Sequence, residues 1–168
     1  MSYYNKTFEG KEKASIKSLF NDYYFKTTIC LSLAWFSINF IYFGQLVVLP
    51  FIFGKAKKSF SSYAYTVLGE APSFLLSILL VDRPNFGRKN SLKYFFLLSS
   101  AMHFIFIFKP FIIFSSLARF FMKMCFQMLY PCTTESYGTL NRTLGFGFNS
   151  AIGRLGATIM PYLILPLI

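Results

Sequence analysis

The stretch TTICLSLAWFSINFIYFGQLVVLPFIF, from Thr27 to Phe53, contains no charged residue. An α-helix rises about 1.5 Å per residue, so about 20 residues cross a hydrocarbon core of about 30 Å. The stretch is therefore long and apolar enough to span a bilayer. The whole chain has the same character, since 55% of its 168 residues are hydrophobic and its mean hydropathy is +0.50. Soluble domains contain about 45–50% apolar residues, and we predict a membrane protein.

Four more apolar stretches of spanning length follow the first. Together with an N-terminal arm over 1–26, the predicted spans run over 27–53, 62–81, 91–108, 111–131 and 145–168. The spans lack the alternating pattern of barrel strands, and a helix satisfies its own backbone groups within lipid. The predicted fold class is all-α, a polytopic membrane helix bundle with about five transmembrane helices in residues 27–168.

The cations of the loops predict the orientation. The chain has 17 Lys and Arg against 6 Asp and Glu, a formal net charge of +11. Ten of the cations fall on the side of the N-terminus: Lys6, Lys11, Lys13, Lys17, Lys26, Arg83, Arg88, Lys89, Lys93 and Arg142. Four fall on the other side: Lys55, Lys57, Lys58 and Lys109. Because cytoplasmic loops carry the excess of Lys and Arg, we predict a multi-pass protein of a plasma or vesicle membrane with its N-terminus in the cytoplasm.

The sequence contains no pattern that indicates a catalytic site. Cys30, Cys125 and Cys132 have no paired spacing, so we expect buried thiols rather than disulfides or metal ligands. We find no metal-ligand cluster, no phosphate-binding glycine loop and no nucleophile–base pair, and we expect neither an enzyme nor a cofactor. The excess of cations in so apolar a chain predicts contact with the lipid bilayer and its headgroups, and no nucleic acid as a partner.

Two polar connections carry recognisable motifs. After the second span comes Asp82-Arg83-Pro84-Asn85-Phe86-Gly87-Arg88-Lys89, and after the fourth comes Glu135-Ser136-Tyr137-Gly138-Thr139-Leu140-Asn141-Arg142-Thr143-Leu144-Gly145-Phe146-Gly147. The first resembles the D-R-x-G-R-[RK] loop of major facilitator superfamily transporters. The second resembles the stretch that joins helices ten and eleven in their organic-ion and synaptic-vesicle-protein-like branch. The resemblance implies a cytoplasmic gate formed by Asp82, Arg83, Gly87, Arg88, Glu135 and Arg142.

Smaller agreements extend the resemblance over about Ser15 to Pro161. Trp35 and Tyr42-Phe43-Gly44 resemble the seventh helix of that branch, and Gly69-Glu70-Ala71-Pro72 resembles the eighth. The resemblance therefore implies a partial, half-length major facilitator fold, its C-terminal half from helix seven to helix eleven. It further implies a secondary carrier that moves a small organic solute by alternating access, with a coupling ion or down the solute's own gradient.

Ionic side chains inside the spans are the candidate substrate-binding residues. A charge at the bilayer centre costs about 2.5–3.5 kcal/mol on insertion scales, so it persists where it is paired or lines a cavity. Glu70 and Arg119 fall at similar depth in spans of the same direction, and Arg154 lies near the same plane. The predicted substrate site comprises Glu70, Arg119, Gln127, Tyr130 and Arg154, with Asn39 and Gln45 as further polar groups.

The surplus of positive charge at this depth favours an organic anion, a carboxylate or a sugar-like solute. In the resembling branch, anion carriers have an arginine where Arg154 stands, whereas cation carriers have an acid. For Lys123 we expect that the long stem carries the ammonium to the membrane interface. A purely structural ion pair between Glu70 and Arg119 explains those two residues equally well.

Half of a carrier encloses no complete pathway. The carrier hypothesis therefore calls for a complementary N-terminal half or a second copy of the chain as a partner. The alternative is a non-transporting membrane scaffold or a truncated transporter fragment. An unrelated channel subunit is a weaker hypothesis, because the sequence has no repeated pore loop.

Overall fold

The computed structural model describes residues 15–53, 59–81 and 87–167, and its secondary structure over these ranges is helical. The helices are α1 (Ile16–Leu19), α2 (Phe25–Phe53), α3 (Ser59–Leu68), α4 (Ala71–Val81), α5 (Gly87–Phe108), α6 (Ile112–Ser136) and α7 (Arg142–Ile164), and a 3-10 turn (Leu165–Leu167) follows. The predicted all-α fold class is confirmed. Within the predicted arm, Leu19 is fully buried in the core.

The helices have the dimensions and the surface of a membrane bundle. In the described ranges, three are long and apolar enough to cross a bilayer, over Phe25–Ile52, Lys89–Phe108 and Ile112–Ser136. They coincide with the predicted first, third and fourth spans, while the second and fifth predicted spans correspond to α3–α4 and α7. The outer faces carry exposed apolar side chains such as Leu97 and Tyr162. Hydrocarbon can cover such a surface, so the bundle is membrane-embedded; which side faces the cytoplasm stays a prediction.

Helix α6 lies at the centre of the bundle. It packs against α2, α3, α4, α5 and α7, while α2 lies along α7 and α5 lies along α6. Its buried face is built from Ala118, Met122, Cys125, Met128 and Leu129. Arg119 belongs to the same buried face, and the central position of α6 therefore surrounds this guanidinium with protein on every side.

The segment predicted as the second span is interrupted at Gly69 and Glu70. The N–H of Gly69 donates to the Tyr65 carbonyl at 3.0 Å, but the N–H of Glu70 donates to Val67, only three residues back, also at 3.0 Å. Pro72 has no N–H to continue the ladder, and a helix breaks or kinks at such a position. The break places the Glu70 carboxylate inside the bundle, where it is 7% exposed.

Glycines bring α7 close to α2. A Cβ atom on Gly153 would lie 2.6 Å from Nδ2 of Asn39, and one on Gly156 would lie 2.8 Å from the backbone oxygen of Phe36. A Cβ on Gly147 would meet no atom within 4 Å. Small residues at a helix interface allow backbones to approach in this way, so Gly153 and Gly156 set the distance between the two helices.

We expect Gly156→Ala to lower the free energy of unfolding by about 1–3 kcal/mol, because a backbone oxygen cannot move aside for the new methyl group. The matched change Gly147→Ala enters open space and removes a helical glycine, so it is expected to stabilise by up to about 1 kcal/mol. Unfolding titrations in mixed micelles measure both. Equal effects of the two substitutions would contradict the described α2–α7 contact.

A buried hydrogen-bond network ties the α6–α7 connection to α2. The Tyr137 hydroxyl donates to Oγ1 of Thr28 at 3.0 Å and accepts from Nδ2 of Asn149 at 2.9 Å. Ser32 donates to Oδ1 of Asn149 at 2.8 Å. Because a buried polar group without a partner is costly, this network fixes the start of α7 against α2 and α6.

Candidate substrate-binding site

The structure brings Glu70 and Arg119 together. Nη2 of Arg119 donates to Oε1 of Glu70, and both residues are buried, Arg119 being only 1% exposed. Glu70 sits at the break before α4 and Arg119 on the buried face of α6. The pairing follows from the similar depths predicted for the two residues, and it neutralises two charges that would be costly alone.

Two further groups complete what we call the ion-pair cluster, namely Tyr42 and Lys123. The Tyr42 hydroxyl donates to Oε2 of Glu70 at 3.3 Å, and Nζ of Lys123 lies 4.0 Å from the same oxygen. The Arg119 guanidinium carbon and the Lys123 ammonium lie 5.2 and 5.6 Å from the centre of the Tyr42 ring. These are cation–π distances, so the Tyr42 ring supports both cations.

The position of Lys123 differs from the sequence-based expectation. Its ammonium lies beside Glu70 rather than at the interface, and its side chain is 28% exposed. Inside the bundle the Lys123 ammonium has two partners, the Glu70 carboxylate and the Tyr42 ring. An extended Lys123 side chain in lipid would have neither. The cluster contains one carboxylate and two cations, and hence one uncompensated positive charge within the described ranges.

Arg119 also has unused donors. Its Nε and Nη1 atoms are buried and have no hydrogen-bond partner among the described residues. A guanidinium carries five N–H donors and commonly binds carboxylates through two of them. These donors are enclosed within the bundle, so the cation of the cluster that a ligand can reach is Lys123.

A cavity of about 350 Å³ adjoins the cluster, and we call it the aromatic cavity. Its wall consists of five aromatic residues, Tyr42, Phe43, Phe74, Phe126 and Tyr130, and of the polar residues Asn39, Lys123 and Gln127. The Lys123 ammonium lies 5.7 Å from the Phe74 ring centre. Tyr42 and Lys123 belong to both the cluster and the wall, so the uncompensated charge is presented to the cavity.

Two predicted site residues, Gln127 and Tyr130, line this cavity. Gln127 donates through Nε2 to Oγ of Ser73 at 3.4 Å, and its Oε1 is buried without a partner among the described residues. Tyr130 packs its ring against Trp35, with centroids 5.0 Å apart. Trp35 is the sole tryptophan of the chain, so it is a natural fluorescent reporter for the cavity.

Arg154, the fifth predicted site residue, is not part of the cluster. It is exposed on α7, whereas its neighbours Gly153 and Gly156 face α2. Among the described residues no carboxylate pairs with it. An assignment to the substrate site therefore stays a prediction for this residue.

The predicted gate lies only in part within the described residues. Asp82, Arg83 and the side chain of Arg88 fall outside them, and Gly87 is the first residue of α5. Glu135 in the last turn of α6 and Arg142 at the start of α7 are both exposed, on either side of one short connection. They lie at the end of the bundle where α5 begins, as the prediction requires, while the gate role itself stays a prediction.

Apart from Tyr130, the sequence does not single out the aromatic residues of the cavity wall. Tyr42, Phe74 and Phe126 were absent from the predicted site, although they form much of the cavity wall. A signal was available, since Tyr42, Phe126 and Tyr130 stand at helical spacings from Asn39, Lys123 and Gln127 on α2 and α6. In a chain with 23 Phe and 11 Tyr, that signal does not distinguish a binding wall from ordinary packing.

The chain is similar to known membrane transporters. It is 29% identical to the synaptic vesicle 2-related protein of Xenopus laevis, over 91% of this chain and 33% of that protein. It is 28% identical to the niacin transporter NiaP of Acinetobacter baylyi, over 92% and 36%. It is 29% identical to solute carrier family 22 member 16 of Bos taurus, over 89% and 27%.

The resemblance to major facilitator transporters of the synaptic-vesicle-like and organic-ion type is confirmed by these relatives. The chain spans about a third of the length of the curated relatives it matches. Neither a protein-family model nor a solved structure matches it.

Proposed function

We propose that the chain forms the solute-binding part of a membrane carrier that moves a small organic anion by alternating access. The observation that carries the proposal is the ion-pair cluster of Glu70, Arg119, Lys123 and Tyr42 beside the aromatic cavity. A transport role also agrees with the names of relatives such as the niacin transporter NiaP. Midplane sites at which two repeats meet are typical of secondary carriers.

The charge of the cluster favours an anion over a cation or a neutral solute. Glu70 is engaged by Arg119, Tyr42 and Lys123, so it has little capacity left for a positively charged ligand. Lys123 lies at the edge of the cluster and on the cavity wall, where a ligand carboxylate can reach it. In a site that excludes water, such a charge-assisted contact is stronger than between neutral groups.

The wall of the cavity favours an aromatic ring in the solute. Rings of Tyr42, Phe74 and Phe126 line about 350 Å³, close to the lower end of small-molecule sites. Offset or edge-to-face contacts between such rings and a flat ligand contribute about 0.5–1.5 kcal/mol each. Nicotinate, a pyridine carboxylate, has this shape and charge and is the first probe that we suggest.

The exposed position of Arg154 favours a second protein segment that completes the transport pathway. An unpaired guanidinium costs about 2.5–3.5 kcal/mol at the bilayer centre, and Arg154 is exposed on α7. Its exposed side therefore faces a water-filled path or another protein segment rather than lipid. A complementary N-terminal half or a second copy of the chain would supply that opposite wall.

Uptake of radiolabelled nicotinate into proteoliposomes tests this function. The chain is reconstituted alone, and also together with a separately expressed N-terminal half of a relative. We expect uptake above that of empty vesicles in at least one preparation, and a loss of about tenfold or more with Arg154→Ala. The matched control Lys109→Ala changes an exposed cation in the α5–α6 connection and is expected to leave uptake unchanged.

The alternative function is a membrane scaffold that does not transport. It is favoured if neither preparation takes up nicotinate and the purified chain also fails to bind it. In that outcome the Glu70–Arg119 pair has a structural role only, and the carrier proposal is wrong.

A further inference from the structure

Asn39 is a polar residue of the aromatic-cavity wall to which the ion-pair cluster assigns no role. It lies on α2, one turn before Phe43, and is only 8% exposed. Its Nδ2 atom donates to the backbone oxygen of Trp35 at 2.8 Å. Because that oxygen can only accept a hydrogen bond, the amide nitrogen and not Oδ1 must face Trp35. The orientation of the Asn39 amide is therefore fixed.

The Oδ1 atom of Asn39 borders the cavity. The nitrogen side of the amide lies against α7, since a Cβ atom on Gly153 would be 2.6 Å from Nδ2. Oδ1 has no hydrogen-bond partner among the described residues, and unlike Oε1 of Gln127 it is not fully enclosed by protein atoms. The part of Asn39 that stays accessible belongs to the wall of the aromatic cavity. A ligand in this cavity can therefore donate a hydrogen bond to Oδ1.

The other polar groups of the wall do not provide a second acceptor of this kind. The Lys123 ammonium carries only donors, so it attracts a carboxylate. The side-chain oxygen of Gln127 is enclosed. The hydroxyls of Tyr42 and Tyr130 can donate as well as accept, so they favour neither kind of ligand group. The wall thus presents one cation and, in Asn39, one group that only accepts.

We propose that the solute is an aromatic carboxylate with a hydrogen-bond donor on its ring, such as a hydroxyl group, and that Asn39 selects this donor. The inference rests on the proposed function, because it concerns the ligand of the same cavity. Asn39 and Tyr42 are three residues apart on α2, and such residues are neighbours on a helix surface. The Lys123 ammonium lies over the Tyr42 ring. One ligand ring can therefore lie between Lys123, which binds its carboxylate, and Oδ1 of Asn39.

Nicotinate fits only half of this pattern. Its carboxylate suits Lys123, but its ring nitrogen is an acceptor and cannot pair with Oδ1 of Asn39. Benzoate has no second polar group, and a methoxy group on the ring again only accepts. A ligand that displaces water from a buried acceptor without offering a donor loses affinity. A ring hydroxyl offers that donor, so a hydroxybenzoate matches both polar groups of the wall.

Calorimetric titration of the purified chain in detergent tests this inference with a series of ligands. Benzoate is compared with meta- and para-hydroxybenzoate and with the corresponding methoxybenzoates. We expect the better hydroxybenzoate to bind about threefold to tenfold more tightly than benzoate, the range that a net hydrogen bond gives. Its methoxy analogue is expected to bind no more tightly than benzoate. The series uses the unaltered chain, so the result does not depend on the folding of a variant.

Asn39→Leu separates the hydrogen bond from the shape of the cavity. Leucine has nearly the shape of asparagine but no acceptor, so we expect this variant to lose the preference for the hydroxyl and to bind benzoate like the parent chain. Asn90→Leu makes the same change at an exposed position of α5 and is expected to keep the preference. Circular dichroism checks that both variants are folded. A purely structural role of Asn39 would instead lower the affinity for benzoate and hydroxybenzoate alike.

Equal affinity of the parent chain for benzoate and both hydroxybenzoates would overturn the inference, as would a preference that persists in Asn39→Leu. Either result leaves the carrier proposal standing, because Lys123 still binds the carboxylate. If the chain binds neither nicotinate nor any benzoate, the carrier proposal fails and this inference fails with it. The two failures are therefore distinguishable.

Discussion

Glu70→Gln is expected to lower the free energy of unfolding by about 3–5 kcal/mol, the usual cost of breaking a buried ion pair from one side. The substitution leaves Arg119 buried without its carboxylate and with Lys123 nearby as a second cation. Arg119→Met is expected to cost less, because Lys123 lies 4.0 Å from Oε2 of Glu70 and can still pair with it. Unfolding titrations in mixed micelles give both values.

The double variant Glu70→Gln with Arg119→Met is the control for this prediction. It removes both buried charges, and replacing a buried pair by neutral groups is often close to neutral for stability. We expect it to recover most of the stability lost in Glu70→Gln while still failing to take up an anion. If both single variants unfold within about 1 kcal/mol of the parent chain, the pair is not buried as described.

Most of the helical architecture could be predicted from hydropathy, because long uncharged stretches have few alternatives in lipid. The depth of Glu70 and Arg119 followed from their positions in the spans, and the structure brings them together. Depth is what a hydropathy pattern encodes. The direction in which a side chain points around its helix axis depends on packing.

The prediction and the structure differ where the direction of a side chain around its helix axis matters, because hydropathy does not predict that direction. Lys123 lies one helical turn from Arg119 and reaches Glu70 because the Tyr42 ring supports it. The positions of the span boundaries do not predict this contact. Arg154 is predicted near the same plane. In the structure it is exposed on α7, whose Gly153 and Gly156 occupy the face toward α2, and its place in the substrate site stays a prediction. The break at Gly69 comes from the missing N–H of Pro72, a local effect that averaging over a long window hides.

Lys123→Gln is expected to weaken nicotinate binding by about 10–100-fold, since a hydrogen bond to a charged group contributes about 1.5–3 kcal/mol. The change removes the charge that the ion-pair cluster presents to the aromatic cavity but leaves Glu70 paired with Arg119. Titration of the purified chain, followed by the fluorescence of Trp35, measures the affinity. Lys93→Gln alters an exposed cation of α5 and is expected to bind like the parent chain.

The same titration, run with nicotinate and with its neutral amide, tests the central claim most directly. The claim is that one uncompensated positive charge lies beside the aromatic cavity, within reach of a ligand carboxylate. We predict that the parent chain binds nicotinate about 10–100-fold more tightly than nicotinamide and that Lys123→Gln removes the difference. Equal affinity of the parent chain for the two ligands, or tighter binding of the amide, would contradict the account.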